Sequence, residues 1–112
     1  MNTTTRLEKH VWRSYFDNVS RLLEGKRIEI EVDSLAIGSQ IAAEWLPVLG
    51  VTYDEKNDLL AVMAEGLDHM IRHPREVFVQ TEGTDLQTIS VTDQDGTIQI
   101  IRFREAQALP AP

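Results

Sequence analysis

The chain has 112 residues, 42% of them hydrophobic and 26% charged, which is the usage of a folded globular chain and not of a disordered one. Eighteen acidic against eleven basic residues give a formal charge of −7, which repels a phosphate backbone and argues against nucleic acid as a partner. The absence of cysteine excludes disulfides, thiolate chemistry, iron–sulfur clusters and thiolate-bound zinc.

From this length we expect a single α+β domain over residues 1–105, followed by a disordered tail at residues 106–112. The opening residues are polar, and no run approaches the ~20 apolar residues that cross a bilayer. The expectation is a soluble, cytoplasmic protein without a secretory leader or membrane contact.

The first predicted element is a helix. Leu7, Val11, Trp12, Tyr15, Phe16, Val19, Leu22 and Leu23 recur at three- and four-residue steps, giving one apolar stripe and one polar one. Thr5 and Glu8 have the spacing of a capping box, in which hydroxyl and carboxylate each satisfy a backbone N–H at the helix start. Gly25 supplies a left-handed stop.

Beyond Gly25 the period drops to two. Ile28, Ile30 and Val32 alternate with charged residues, predicting a strand with one buried face. Short apolar runs follow at 40–46, 49–53, 59–64, 77–80, 86–92 and 97–103. The polar clusters at 54–58, 82–85 and 93–96 have hairpin length, so antiparallel neighbours are expected. In the last run the apolar phase moves from Ile98 and Ile100 to Ile101 and Phe103, as at a bulge or in a strand buried on both faces.

One segment fits two patterns. Leu59, Leu60, Met63, Leu67, Met70 and Ile71 also match helical spacing. Gly66, and Pro74 forcing His73 out of the α region, favour two strands around a turn at 66–68.

Four stretches stand out in this chain: Leu46-Pro47, the run from Gly50 to Asp54, the run from Gly66 to Glu76, and Asp93 to Gly96 with Ile100 and Arg102. With Trp12 and Phe16 of the opening helix, they make the chain resemble an uncharacterised bacterial family catalogued as domain of unknown function 5335. The resemblance implies a compact bacterial domain and brings no activity or cofactor.

Glu65, His69 and His73 stand four residues apart in succession, the spacing of a three-ligand metal site if the segment is helical. On a strand, His69 and His73 would sit roughly 13 Å apart at ~3.3 Å per residue, too far to share an ion. No metal is therefore expected, and these three remain the weak candidates. Asp93 to Gly96 opens like a calcium loop, but its glycine falls early and Arg104 stands where the closing glutamate belongs. The scattered glycines form no phosphate loop, and no serine sits in a nucleophile elbow. No catalytic residue and no cofactor are predicted.

Trp45-Leu46-Pro47-Val48-Leu49 is dense in large apolar groups around a proline that cannot donate to a ladder. It fills the core beneath the helix or forms an exposed patch. In the second case Glu44, Trp45, Leu46, Val48 and Leu49 would line an interface on the strand 40–46, whose only charge is Glu44.

The expected architecture is an N-terminal amphipathic helix packed on a mainly antiparallel, strongly twisted five- or six-stranded sheet or small barrel. The expected role is a small non-enzymatic bacterial binding or interaction module, as a homodimer or with another protein. The alternative is a small-molecule or metal-dependent activity centred on His69 and His73.

Overall fold

A strand opens the fold. The computed structural model describes residues 2–105, and the expected disordered tail lies outside the described residues. In chain order the strands are β1 (Asn2–Leu7), β2 (Lys26–Ser34), β3 (Gly38–Asp54), β4 (Leu59–Ala64), β5 (Leu67–Arg72), β6 (Pro74–Glu82), β7 (Asp85–Asp93) and β8 (Ile98–Glu105). A short helix, α1 (Trp12–Ser20), joins β1 to β2 and is flanked by 3-10 turns at Lys9–Val11 and Arg21–Leu23. The strands form one antiparallel sheet in the order β1-β6-β7-β8-β2-β3-β4-β5.

This corrects the expected fold class. Eight strands replace five or six, the sheet is open with β1 and β5 as its edges, and the helix is a short connection instead of the first layer of an α+β domain. Three consecutive threonines, β-branched and at home in a pleated edge, hold Asn2–Leu7 extended. Glu8 is also extended, and its carboxylate accepts from Arg6 in place of the predicted cap. The helical stripe holds from Val11 to Val19; at one end it runs falsely into Leu7 of the strand, and at the other into Leu22, which is exposed in the 3-10 turn.

The long β3 unites two predicted runs. From Gly38 to Pro47 it pairs with β2, and from Val48 to Asp54 it pairs with β4. Near the end of the first half Trp45 takes a left-handed backbone at φ 52°, and Pro47, its last residue, brings no N–H. The Pro47 carbonyl has already turned to the other side, where it accepts from the Glu65 N–H at 2.9 Å.

Register then assembles the core. Val79, Ile89, Ile101, Ile30 and Ala43 lie side by side across five strands, and Tyr53, Leu60 and Ile71 do so across β3, β4 and β5. All eight are buried. β8 keeps one register against both neighbours, so the phase change read in it is no bulge. Gln99, Ile101 and Phe103 face inward, and Ile98 is left exposed on the other face.

The helix covers what the bend uncovers. Trp12, Phe16 and Val19 are buried, and Trp12 meets the Tyr53 ring edge-on at 5.1 Å while its indole N–H donates to the Leu7 carbonyl at 3.0 Å. The Ser20 hydroxyl donates to the Val51 carbonyl at 2.8 Å and accepts from the Val51 N–H at 3.0 Å. One side chain thus satisfies both backbone groups of a β3 residue that has left β2. Ser20→Ala should cost ~1–3 kcal/mol, because both partners are left unpaired, whereas exposed Ser14→Ala should stay within ~0.5 kcal/mol. Urea unfolding of the two variants checks this, and equal midpoints would refute it.

Candidate functional site

The residues singled out from the sequence go to separate places. Glu65 lies in the β4–β5 turn beside Gly66, whose φ is +82°. His69 stands opposite Val62, and its Nε2 meets the side-chain oxygen of buried Gln99 on β8. His73 forms the one-residue link between β5 and β6 at φ 52°. The segment is strand–turn–strand, and among the described residues no group of three His, Cys, Asp or Glu could hold a metal ion.

His73 belongs instead to a cluster around Asp58. Asp58 ends the β3–β4 turn at φ 48°, a conformation that Asp tolerates better than most residues. Its carboxylate accepts from the Tyr53 hydroxyl at 2.6 Å, faces His73 Nδ1 at 3.3 Å and lies 3.6 Å from Lys9 Nζ. Backbone bonds run in parallel, His73 N–H to the Asp58 carbonyl and Gln94 N–H to the His73 carbonyl. Tyr53's hydroxyl, then His73 and Lys9, hold the Asp58 carboxyl below its ordinary range against the opposing effect of burial. Burial first, and then the Asp58 bond, push the Tyr53 phenol up.

A depression of about 450 Å³ opens beside this cluster, lined by Lys9, His10, Tyr53, Glu55 and Asp58. It holds no serine, threonine or cysteine to act as nucleophile. The carboxylate's bonds tie β3, the turn and the β5–β6 link together. Sequence reading missed Asp58 and Tyr53 because they looked like turn and core. The signal was the Asp54–Asp58 turn, in which the Asp54 carboxylate accepts from the N–H groups of Lys56 and Asn57.

The apolar run after Glu44 is largely internal. Val48 is buried, Leu46 packs partly against the core, and the Trp45 ring lies 3.9 Å below the Arg104 guanidinium. Arg27 donates to the Trp45 carbonyl at 3.1 Å. Glu44 and Leu49 remain exposed. Beside β2, Ala42 is an extra residue and Glu44 and Trp45 together face Glu29, so two bulges interrupt the ladder between β2 and β3.

Exposed apolar groups collect at the tip of the β2–β3 hairpin. Leu35, Ile37 and Ile41 are joined there by Ile98 of the neighbouring β8. Two depressions of about 380 and 370 Å³ meet at Ser34, Leu35 and Gly96. Glu31 and Asp33 line the first and Asp95 the second. The Asp33 carboxyl, then the Arg102 guanidinium and the Ser39 hydroxyl, hold the Glu31 carboxyl below its ordinary range. Asp33 Oδ1 is out of contact with solvent and has no hydrogen-bond partner among the described residues. Such an oxygen forgoes of order 1–3 kcal/mol of hydrogen bonding.

The chain belongs to the family of unknown function DUF5335, which it matches over residues 3–112. It is similar to an uncharacterized protein of Aquifex aeolicus (strain VF5), 39% identical over 108 residues that cover 96% of this chain and 97% of that one. No solved structure matches it. Among the described residues, no helix is long and apolar enough to cross a membrane.

The Asp58 cluster gives a pH prediction. A carboxyl held below its unfolded value of ~3.9 contributes stability that is complete above about pH 5 and is lost as pH falls through the folded pKa. Tyr53→Phe removes the largest cause and leaves the ring against Trp12. Carboxyl NMR titration should then find Asp58 shifted up toward ~3.9, and the acid loss of urea stability should become shallower. An Asp58 titration identical to wild type would refute the assignment.

Proposed function

We propose that this protein is a small, non-enzymatic bacterial module that acts in the cytoplasm by binding a protein partner at its β2–β3 hairpin end. The observation that carries this reading is the clustering of Leu35, Ile37, Ile41 and Ile98, from 41% exposed at Ile98 to full exposure at Leu35. Apolar groups gathered on a surface, with polar groups beside them, mark a partner site. An external segment laid across the tip would remove them from water at ~25 cal/mol per Å².

A homodimer through the strand 40–46 finds less support. Residues 40–46 already pair with β2, two bulges in that ladder bend the strand, and Arg104 already covers Trp45. An activity centred on His69 and His73 finds less still, since Gln99 and Asp58 each engage one imidazole in separate parts of the fold.

Random peptides displayed on phage and selected on the wild-type protein test the reading. The selected peptides should bind an Ile37→Ser, Ile41→Ser variant about tenfold or more weakly, as expected when central apolar anchors are removed. Urea stability should be unchanged, because both side chains are exposed. Peptides that bind the variant as well as wild type would remove the hairpin end from the interface.

A further inference from the structure

We propose that the depression beneath the hairpin tip receives an arginine side chain of the partner, flanked by aliphatic residues. This rests on the reading of the hairpin end as the binding surface and specifies its chemistry. The charges at the site are one-sided. Glu31, Asp33 and Asp95 line the paired depressions, and among the described residues no lysine or arginine lines them, Arg102 reaching only Glu31 of the three from outside.

The three carboxylates differ in how far they are already compensated. Glu31 accepts from Arg102 at 3.0 Å and from Ser39 at 3.1 Å. Asp33 stands between Ser39 on β3 and Ile98 on β8, with no cation at either register position. Its Oδ1 is withdrawn from water without a donor. A cation seated in the depression would supply the missing donor and offset the negative charge of the neighbouring Asp33 and Glu31, an attraction that salt screens.

The surroundings select the kind of cation. Leu35 and Ile98, both exposed and both lining the first depression, suit an aliphatic stem, with the charged head reaching the carboxylates beside them. A guanidinium is planar, weakly hydrated for a cation and matched to carboxylate oxygens, which suits a site that is part apolar and part acidic. A divalent ion of the calcium type wants six or more oxygens and gains nothing from these two apolar side chains.

The test uses fluorescence anisotropy with the full chain and a dye-labelled, end-capped pentapeptide carrying one central arginine between leucines and valines. Its twin has citrulline, of the same shape and uncharged, in place of arginine. Wild type should bind the arginine peptide at least about tenfold more tightly. The preference should shrink as sodium chloride rises, vanish in Asp33→Asn and persist in Asp17→Asn on the distant helix face. The salt series on wild type keeps the test decisive if Asp33→Asn does not fold. Equal binding of both peptides, lost in Ile37→Ser, Ile41→Ser, would overturn the arginine assignment and leave the apolar binding surface standing. Binding of neither peptide would overturn it too. Light scattering at the same concentrations that finds a dimer dissolved by Asp33→Asn would assign the depression to a second copy of the chain, and overturn it.

Discussion

Everything in this fold turns on the bend in β3. Seventeen consecutive residues serve two ladders because the chain leaves the β2 ladder after Pro47 and joins the β4 ladder from Val48. A left-handed backbone at a tryptophan costs of order 1–3 kcal/mol and persists only where its surroundings dictate it. Here they do. Arg27 grips the Trp45 carbonyl, Arg104 stacks on the ring, and the Pro47 carbonyl is taken by Glu65 across the bend.

A strand that abandons one neighbour exposes its backbone on that side, and the short helix answers this need. Ser20 supplies a donor and an acceptor to Val51, while Trp12, Phe16 and Val19 fill the adjoining volume. The polar groups left inside follow the same rule of mutual satisfaction, with His69 on edge strand β5 meeting Gln99 on β8. Lys26, almost wholly buried, lies between Asp85 and Glu105. The Asp58 cluster fastens the two left-handed links that carry the chain between β3, β4, β5 and β6. Against this pattern of paired groups, the unpartnered Asp33 oxygen at the hairpin end stands apart.

The legible parts of the fold were those written locally. Period-two alternation located β2, hairpin-length polar clusters located three turns, and Gly66 with Pro74 decided for strands over helix at Leu59–Arg72. What could not be read is non-local. Whether Gln40–Leu46 and Leu49–Tyr53 are one strand depends on Arg27, Arg104 and Glu65, all remote in sequence from Trp45 or on other strands. β1 was lost because its threonines are polar and its one buried residue, Leu7, fell in phase with the helix that follows. The Asp58 cluster escaped for the same reason, since Lys9, Tyr53 and His73 meet only after three connections have folded. The apolar hairpin tip was written openly, but Leu35 and Ile37 lie in the three-residue turn itself, where an apolar side chain has no sheet face to fill.

Two long-range pairings, β1 with β6 and β2 with β8, set the order in which the fold can be completed. Asn2 sits opposite Glu82 and Leu7 opposite Val77, while the hairpins between them join neighbours in the chain. Contacts so far apart in sequence carry the largest loop-closure cost and form late. During synthesis β1 is therefore made before its partner exists and must wait through the helix and four further strands. An unpaired strand in that position is an invitation to aggregate. Its threonines, extended by preference yet too polar to stick, suit a strand that waits in water until β6 arrives.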